Sequence, residues 1–129
     1  MPLRRTIERL CLSLALLASP LWGEEAHVRL LVQSSPLAGS QFHALANLHA
    51  AMRVGDALTL VREPDNPYDA RAVRVEWQGR QLGYVPRREN RAVAAVLDRG
   101  RTLHARISRL EPEAEDPWQR LEFEVWLEL

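Results

Sequence analysis

Apolar and polar residues alternate most strongly at the end of the chain, where Leu121 to Leu129 reads L-E-F-E-V-W-L-E-L. Such period-two alternation predicts a strand with one buried face. The same pattern marks Ala72 to Trp77 (A-V-R-V-E-W), and Gln78-Gly79 forms a tight turn into Arg80 to Val85, so this pair reads as a hairpin. Further strands are predicted over His27 to Gln33, Ala57 to Arg62 and Arg101 to Leu110. Ser34 to Ser40, with Pro36 and Gly39, reads as a loop. Gln41 to Met52 (Q-F-H-A-L-A-N-L-H-A-A-M) carries apolar residues at helical spacing and predicts a short helix, ended by the turn at Gly55-Asp56. A second helix is predicted from Pro86, where a missing N–H is harmless. Its apolar stripe is Val93, Val96 and Leu97, and Asp98-Arg99-Gly100 closes it. Trp77 and Trp126 fall at strand positions and are assigned to the core. Short strands with two brief helices make a mainly β (α+β) domain, a small mixed barrel of about six strands.

Residues 1–23 do not fit that pattern. Arg4, Arg5 and Arg9 precede an uncharged apolar run from Leu10 to Ala18, and Ala18 or Gly23 offers a small residue for cleavage. This is the layout of a secretory signal peptide. The run falls short of the roughly 20 residues a membrane-spanning helix needs. Residues 24–129 then form the domain, and the expected location is periplasmic or secreted. Cys11 is the sole cysteine, so a chain cleaved there has no disulfide and no thiolate metal site.

Formal net charge is zero, which gives no global attraction to nucleic acid or membrane. The charge is nevertheless segregated. From Arg80 to Arg109 there are 8 Arg against Glu89 and Asp98, and from Leu110 onward 7 acids against Arg120. Glu111 to Trp118, acidic and Pro-containing, is the segment most prone to disorder. Arg87, Arg88 and Arg91 fall in the first turns of the predicted second helix, whose N-terminal end favours a phosphate. Two readings stand for them: a phosphate track, or pairing with the acidic C-terminal strand and loop. All 17 basic residues are Arg; a GC-rich genome gives that bias, while Arg also suits phosphate recognition.

The densest local signal is R-E-P-D-N-P-Y-D over Arg62 to Asp69, followed by A-V at Ala72-Val73 and L-G-Y-V-P over Leu82 to Pro86. Two Pro, an Asn and two Asp within six residues force a tight loop. The order strand, N-P-Y-D loop, strand, G-Y-V-P and helix resembles the HIRAN domain, over roughly Val28 to Leu129. That family occurs attached to helicase-like DNA-repair and remodelling ATPases, and as small free-standing bacterial proteins. The resemblance implies an OB-like or SH3-like barrel and a pocket for the 3′-hydroxyl end of single-stranded DNA. Carried over residue by residue, Tyr68 would stack on the terminal base and Asp69 would accept from the 3′-hydroxyl. Asn66 would order the loop or bond the terminal nucleotide. Phe42 and His43 stand nearest the family's second aromatic pair, which has adjacent Tyr preceded by a basic residue; here Gln41-Phe42-His43 departs from it. Read from the residues alone, Tyr68 either stacks on a ligand or plugs the barrel, and Phe42 either stacks or packs in the core.

Signals for an enzyme are poor. No Gly-rich phosphate loop occurs, and Ser34, Ser35 and His43 form no recognisable nucleophile arrangement. His27, His43, His49 and His104 lack metal-ligand spacing, and Asp65 with Asp69 is a weak cation signal. Neither a cofactor nor a metal is expected. Two functions remain: a module for single-stranded DNA ends, or an exported, non-enzymatic barrel that binds a nucleotide, a peptide or an envelope partner.

Overall fold

Residues 28–129 are described by the computed structural model. The leader expected over residues 1–23, and His27 at the start of the first predicted strand, lie outside the described residues. The strands are β1 (Arg29–Pro36), β2 (Ala57–Arg62), β3 (Val73–Trp77), β4 (Arg80–Tyr84), β5 (Leu103–Leu110) and β6 (Leu121–Glu128). They form one antiparallel sheet in the order β1-β6-β5-β2-β3-β4. Extra residues interrupt the register in β1, β4 and β5, between Leu31 and Gln33, opposite Val75/Glu76, and between Ile107 and Arg109. Such bulges bend and twist strands, which lets so short a sheet curl on itself.

The curl closes through one seam. Just past β1, Ala38 N–H donates to the Tyr84 carbonyl at 2.9 Å, and Tyr84 N–H returns a bond to the Ala38 carbonyl at 2.9 Å. Gly83 makes this approach possible, because a Cβ there would lie 2.3 Å from the Ala38 carbonyl oxygen. The interior is filled by the inward positions of the alternating strands. Val73, Val75 and Trp77 come from β3, Leu121, Phe123 and Val125 from β6, and Ile107 from β5. The six-stranded barrel is the expected fold.

Several boundaries differ from the sequence reading. β1 runs on to Pro36 through the predicted loop, because Ser34, Ser35 and Pro36 pair with Glu124, Phe123 and Glu122 of β6. Ser35, fully buried, accepts a bond from Gln33 Nε2. The helix expected over residues 41–52 breaks into a 3-10 turn (Ser40–Phe42), a single α turn, α1 (Leu45–Leu48), and a second 3-10 turn (His49–Ala51). His43 is extended and interrupts it, no side chain caps the α turn, and Leu45 is its one buried residue. Pro86 does not open the second helix: it is extended before a 3-10 turn (Arg87–Glu89), and α2 follows over Arg91–Asp98. The acidic loop is held in place, since Asp116 accepts from Trp118 N–H and Arg120 Nε donates to the Ala114 carbonyl. Trp126 is not core. It is half-buried on the outer face, with the Arg106 guanidinium 5.1 Å from its ring.

Candidate nucleic-acid interface

Between β2 and β3 the chain makes the Pro-rich loop, and its own polar side chains fold it. Asn66 Oδ1 accepts from the backbone N–H of Tyr68 at 2.9 Å and of Asp69 at 3.2 Å, an Asx-type turn. Asp69 Oδ1 accepts from Arg71 N–H at 2.9 Å, and its Oδ2 accepts from Asn90 Nδ2 at 2.7 Å. Asn90, buried at the start of α2, spends its amide on the loop rather than on capping its helix. The base of the loop is clamped by Glu63, whose carboxylate accepts from Asn66 Nδ2, the Tyr84 hydroxyl and Arg74 at 2.9–3.0 Å.

With Asn66 and Asp69 engaged inward, the loop projects Tyr68, which is 85% exposed. That exposure excludes the barrel-plug alternative. Tyr68, Pro67, Asn66 and Asp69 line a recess of about 410 Å³, completed by Tyr84 and Val85 from the end of β4, Ala38 at the seam, Ala72 and Arg87. The recess thus presents two tyrosines, a carboxylate and a guanidinium. Its size falls within the range of small-ligand sites.

The other candidates are distributed around this recess. Phe42 is 79% exposed on its 3-10 turn, so it is not core, but it does not line the recess. His43 stands edge-on to Tyr84, ring centroids 6.0 Å apart. Arg88 lines a neighbouring recess of about 360 Å³ with Trp118, Pro36, Pro86 and Glu89. Arg91, exposed in the first turn of α2, lines neither. The C-terminal acids are taken by others: Glu122 by Arg109, Glu124 by Arg106, and Glu128 by His104. Among the described residues, Arg87, Arg88 and Arg91 form no ion pair, so the pairing alternative fails for all three. Tyr84 and Trp118 were not singled out from the sequence. Tyr84 sat in the quoted G-Y-V-P motif, whereas Trp118 carried no signal beyond its exposed position in the loop.

Burial raises the Glu63 carboxyl pKa, yet hydrogen bonds from Asn66, Tyr84 and Arg74 outweigh it, and the net shift is downward from 4.5. Asp69 is likewise pushed up by burial and brought below 3.8 by its bonds from Arg71 and Asn90 and by the nearby Arg87 charge. Both carboxylates are therefore anionic at neutral pH, and Asp69 is a ready hydrogen-bond acceptor. Depressed folded-state values contribute stability that is complete above the unfolded values and lost as pH falls through the folded ones. The domain is expected to lose stability on acidification below about pH 4.5. Urea titrations at stepped pH should show a shallower acid limb for Glu63→Gln; an unchanged limb would remove Glu63 as the clamp.

No curated protein sequence matches the chain. Among solved structures, a crystal structure of a protein from Lactobacillus plantarum superimposes with a TM-score of 0.70 at 26% identity, over 80% of this chain and 98% of that one. The crystal structure of the HIRAN domain of human HLTF gives 0.61 at 17% identity, over 78% of each chain, a likeness of fold. The sequence itself matches the HIRAN domain family from residue 30 to 129. That match spans the whole barrel, from β1 through the N-P-Y-D loop to β6, and the chain belongs to the HIRAN domain family.

Proposed function

We propose that this protein is a nucleic-acid-binding module that receives the 3′ end of single-stranded DNA in the recess beside Tyr68. The observation that carries the reading is the convergence of Tyr68 and Tyr84 with Asp69 and Arg87 around one recess. Single strands are held by aromatic stacking combined with positive charge along the backbone. The exposed Tyr68 ring supplies a stacking face, and Arg87 supplies a partner for the adjoining phosphate. Asp69, anionic and fixed by Asn90, would accept from a terminal hydroxyl and repel a terminal phosphate. Trp118 with Arg88 offers a second stacking position for a base further along the strand. Phe42, His43 and Arg91 take places at the periphery of this interface. The leader read over residues 1–23 puts the proposed activity outside the cytoplasm, on DNA that is imported or extracellular. A second reading, a barrel that takes a single free nucleotide, is favoured by the modest size of the recess, about 410 Å³.

The salt dependence of binding separates a strand from a mononucleotide. On single strands the log–log slope is about −0.7 per phosphate contacted. With Arg87 and Arg88 both engaged, a slope of about −1.4 is expected for a short oligonucleotide, and Arg87→Ala should reduce it by about 0.7. A slope that Arg87→Ala leaves unchanged would contradict the path across this turn.

A further inference from the structure

β2 and β5 start as neighbours and then part. Their ladder holds only Ala57↔Arg106 and Leu58↔Ala105. Yet β2 runs on to Arg62, paired on its far side with β3, and β5 starts at Leu103, paired on its far side with β6. Beyond the last shared pair, Thr59 and Leu60 of β2 and Leu103 and His104 of β5 line a common cleft of about 580 Å³ with no ladder between them. A strand edge without a ladder partner is a template for a further strand.

The chemistry of the cleft is selective. Leu60 and Leu103, half-buried, pack against the core and give it an apolar wall. Twelve residues line it; Arg29, His104 and Arg106 are among them, and none is Asp or Glu. Arg106 pairs with Glu124 at 3.3 Å and His104 with Glu128 at 2.8 Å, but both acids stand on β6 outside the lining. The Arg106 side chain, despite its ion pair, stays 54% exposed.

We propose that this cleft docks an extended acidic peptide of a partner protein, which adds a short strand to the β2 edge. Main-chain bonds to Leu60 would supply affinity. Even-numbered residues here turn their N–H and C=O toward β5, as Asp56 does in accepting from Ile107 N–H, whereas Thr59 and Val61 turn theirs to β3. Alternate side chains of the peptide would meet the leucine wall on one face and the Arg29 and Arg106 guanidinium groups on the other. The cleft shares no lining residue with the Tyr68 recess, so the two sites stand or fall separately.

The test uses the full chain and two fluorescein-labelled hexapeptides at low salt, one alternating Glu with Val and one alternating Lys with Val. The Glu peptide should bind and the Lys peptide should not. Arg106→Glu should weaken the Glu peptide by about tenfold or more, while Tyr68→Ala leaves it unchanged. Amide hydrogen exchange on the unsubstituted chain should show new protection at Leu60, and this readout decides the matter if Arg106→Glu fails to fold. Equal binding of both peptides, no binding, protection confined to other strands, or loss through Tyr68→Ala but not Arg106→Glu would each overturn the proposal.

Discussion

Tyr68→Ala is expected to weaken binding of a short single-stranded oligonucleotide by roughly 5- to 150-fold while leaving the melting temperature unchanged. The range follows from the loss of one base–aromatic stack, about 1–3 kcal/mol. The absence of a stability effect follows from geometry, since the ring is 85% exposed. The loop is held instead by the side chains of Asn66, Asp69 and Glu63, none of which bonds the Tyr68 ring. Tyr68→Phe should retain most of the affinity, because stacking uses the ring face. Anisotropy titration paired with thermal melts reads both quantities. If Tyr68→Ala lowers the melting temperature as much as it lowers affinity, the ring is structural and the stacking role is wrong.

Gly83→Ala is expected to destabilise the domain by about 3 kcal/mol, at the upper end of what overpacking typically costs. The added Cβ would sit 2.3 Å from the Ala38 carbonyl oxygen and 3.1 Å from the Leu37 side chain. A flexible side chain could move aside; a backbone carbonyl in a seam cannot, without breaking the paired bonds between Ala38 and Tyr84. For a domain of this size the melting temperature should fall by roughly 10–20 °C. Binding should suffer as well, because Ala38 and Tyr84 line the recess that the seam closes. Thermal unfolding followed by circular dichroism measures the cost. A loss below about 1 kcal/mol would mean that the barrel closes without a tight seam.

How far these features were legible depends on whether local or distant forces set them. β3 and β6 show their burial in the alternation itself, with Val73, Val75 and Trp77 inward on one and Leu121, Phe123 and Val125 on the other. The loop was legible because Asn66 and Asp69 fold it through bonds to their own neighbours. The last turn of β1 was not, since Ser34-Ser35-Pro36 carries no apolar signal and takes its conformation from pairing with β6. The stretch from Gln41 to Met52 has helix-favouring composition, but few inward contacts reward a continuous helix, and extended His43 breaks it.

The site shows the same division. Tyr68 and Asp69 were visible in sequence, whereas Tyr84 joins them only once β4 reaches the seam beside Ala38. Arg87 and Arg88, adjacent in sequence, line different recesses. They are consecutive in a 3-10 turn, where neighbouring side chains diverge by about a third of a turn. The sequence placed both at the start of one predicted helix, and nothing local in it tells which recess each would line. The same turn is tied to β1 by Gln33 Nε2, which donates to the Glu89 carbonyl, another contact between residues far apart in the chain.

The most direct test of the account is an anisotropy titration of the full chain with one single-stranded oligonucleotide in two forms, ending in a free 3′-hydroxyl or in a 3′-phosphate. The carboxylate of Asp69 in a recess lined by Tyr68 and Tyr84 predicts tighter binding of the free hydroxyl, by about tenfold for a single charge-assisted hydrogen bond. Equal binding of the two forms, or binding of neither at low salt, would contradict end recognition at this site.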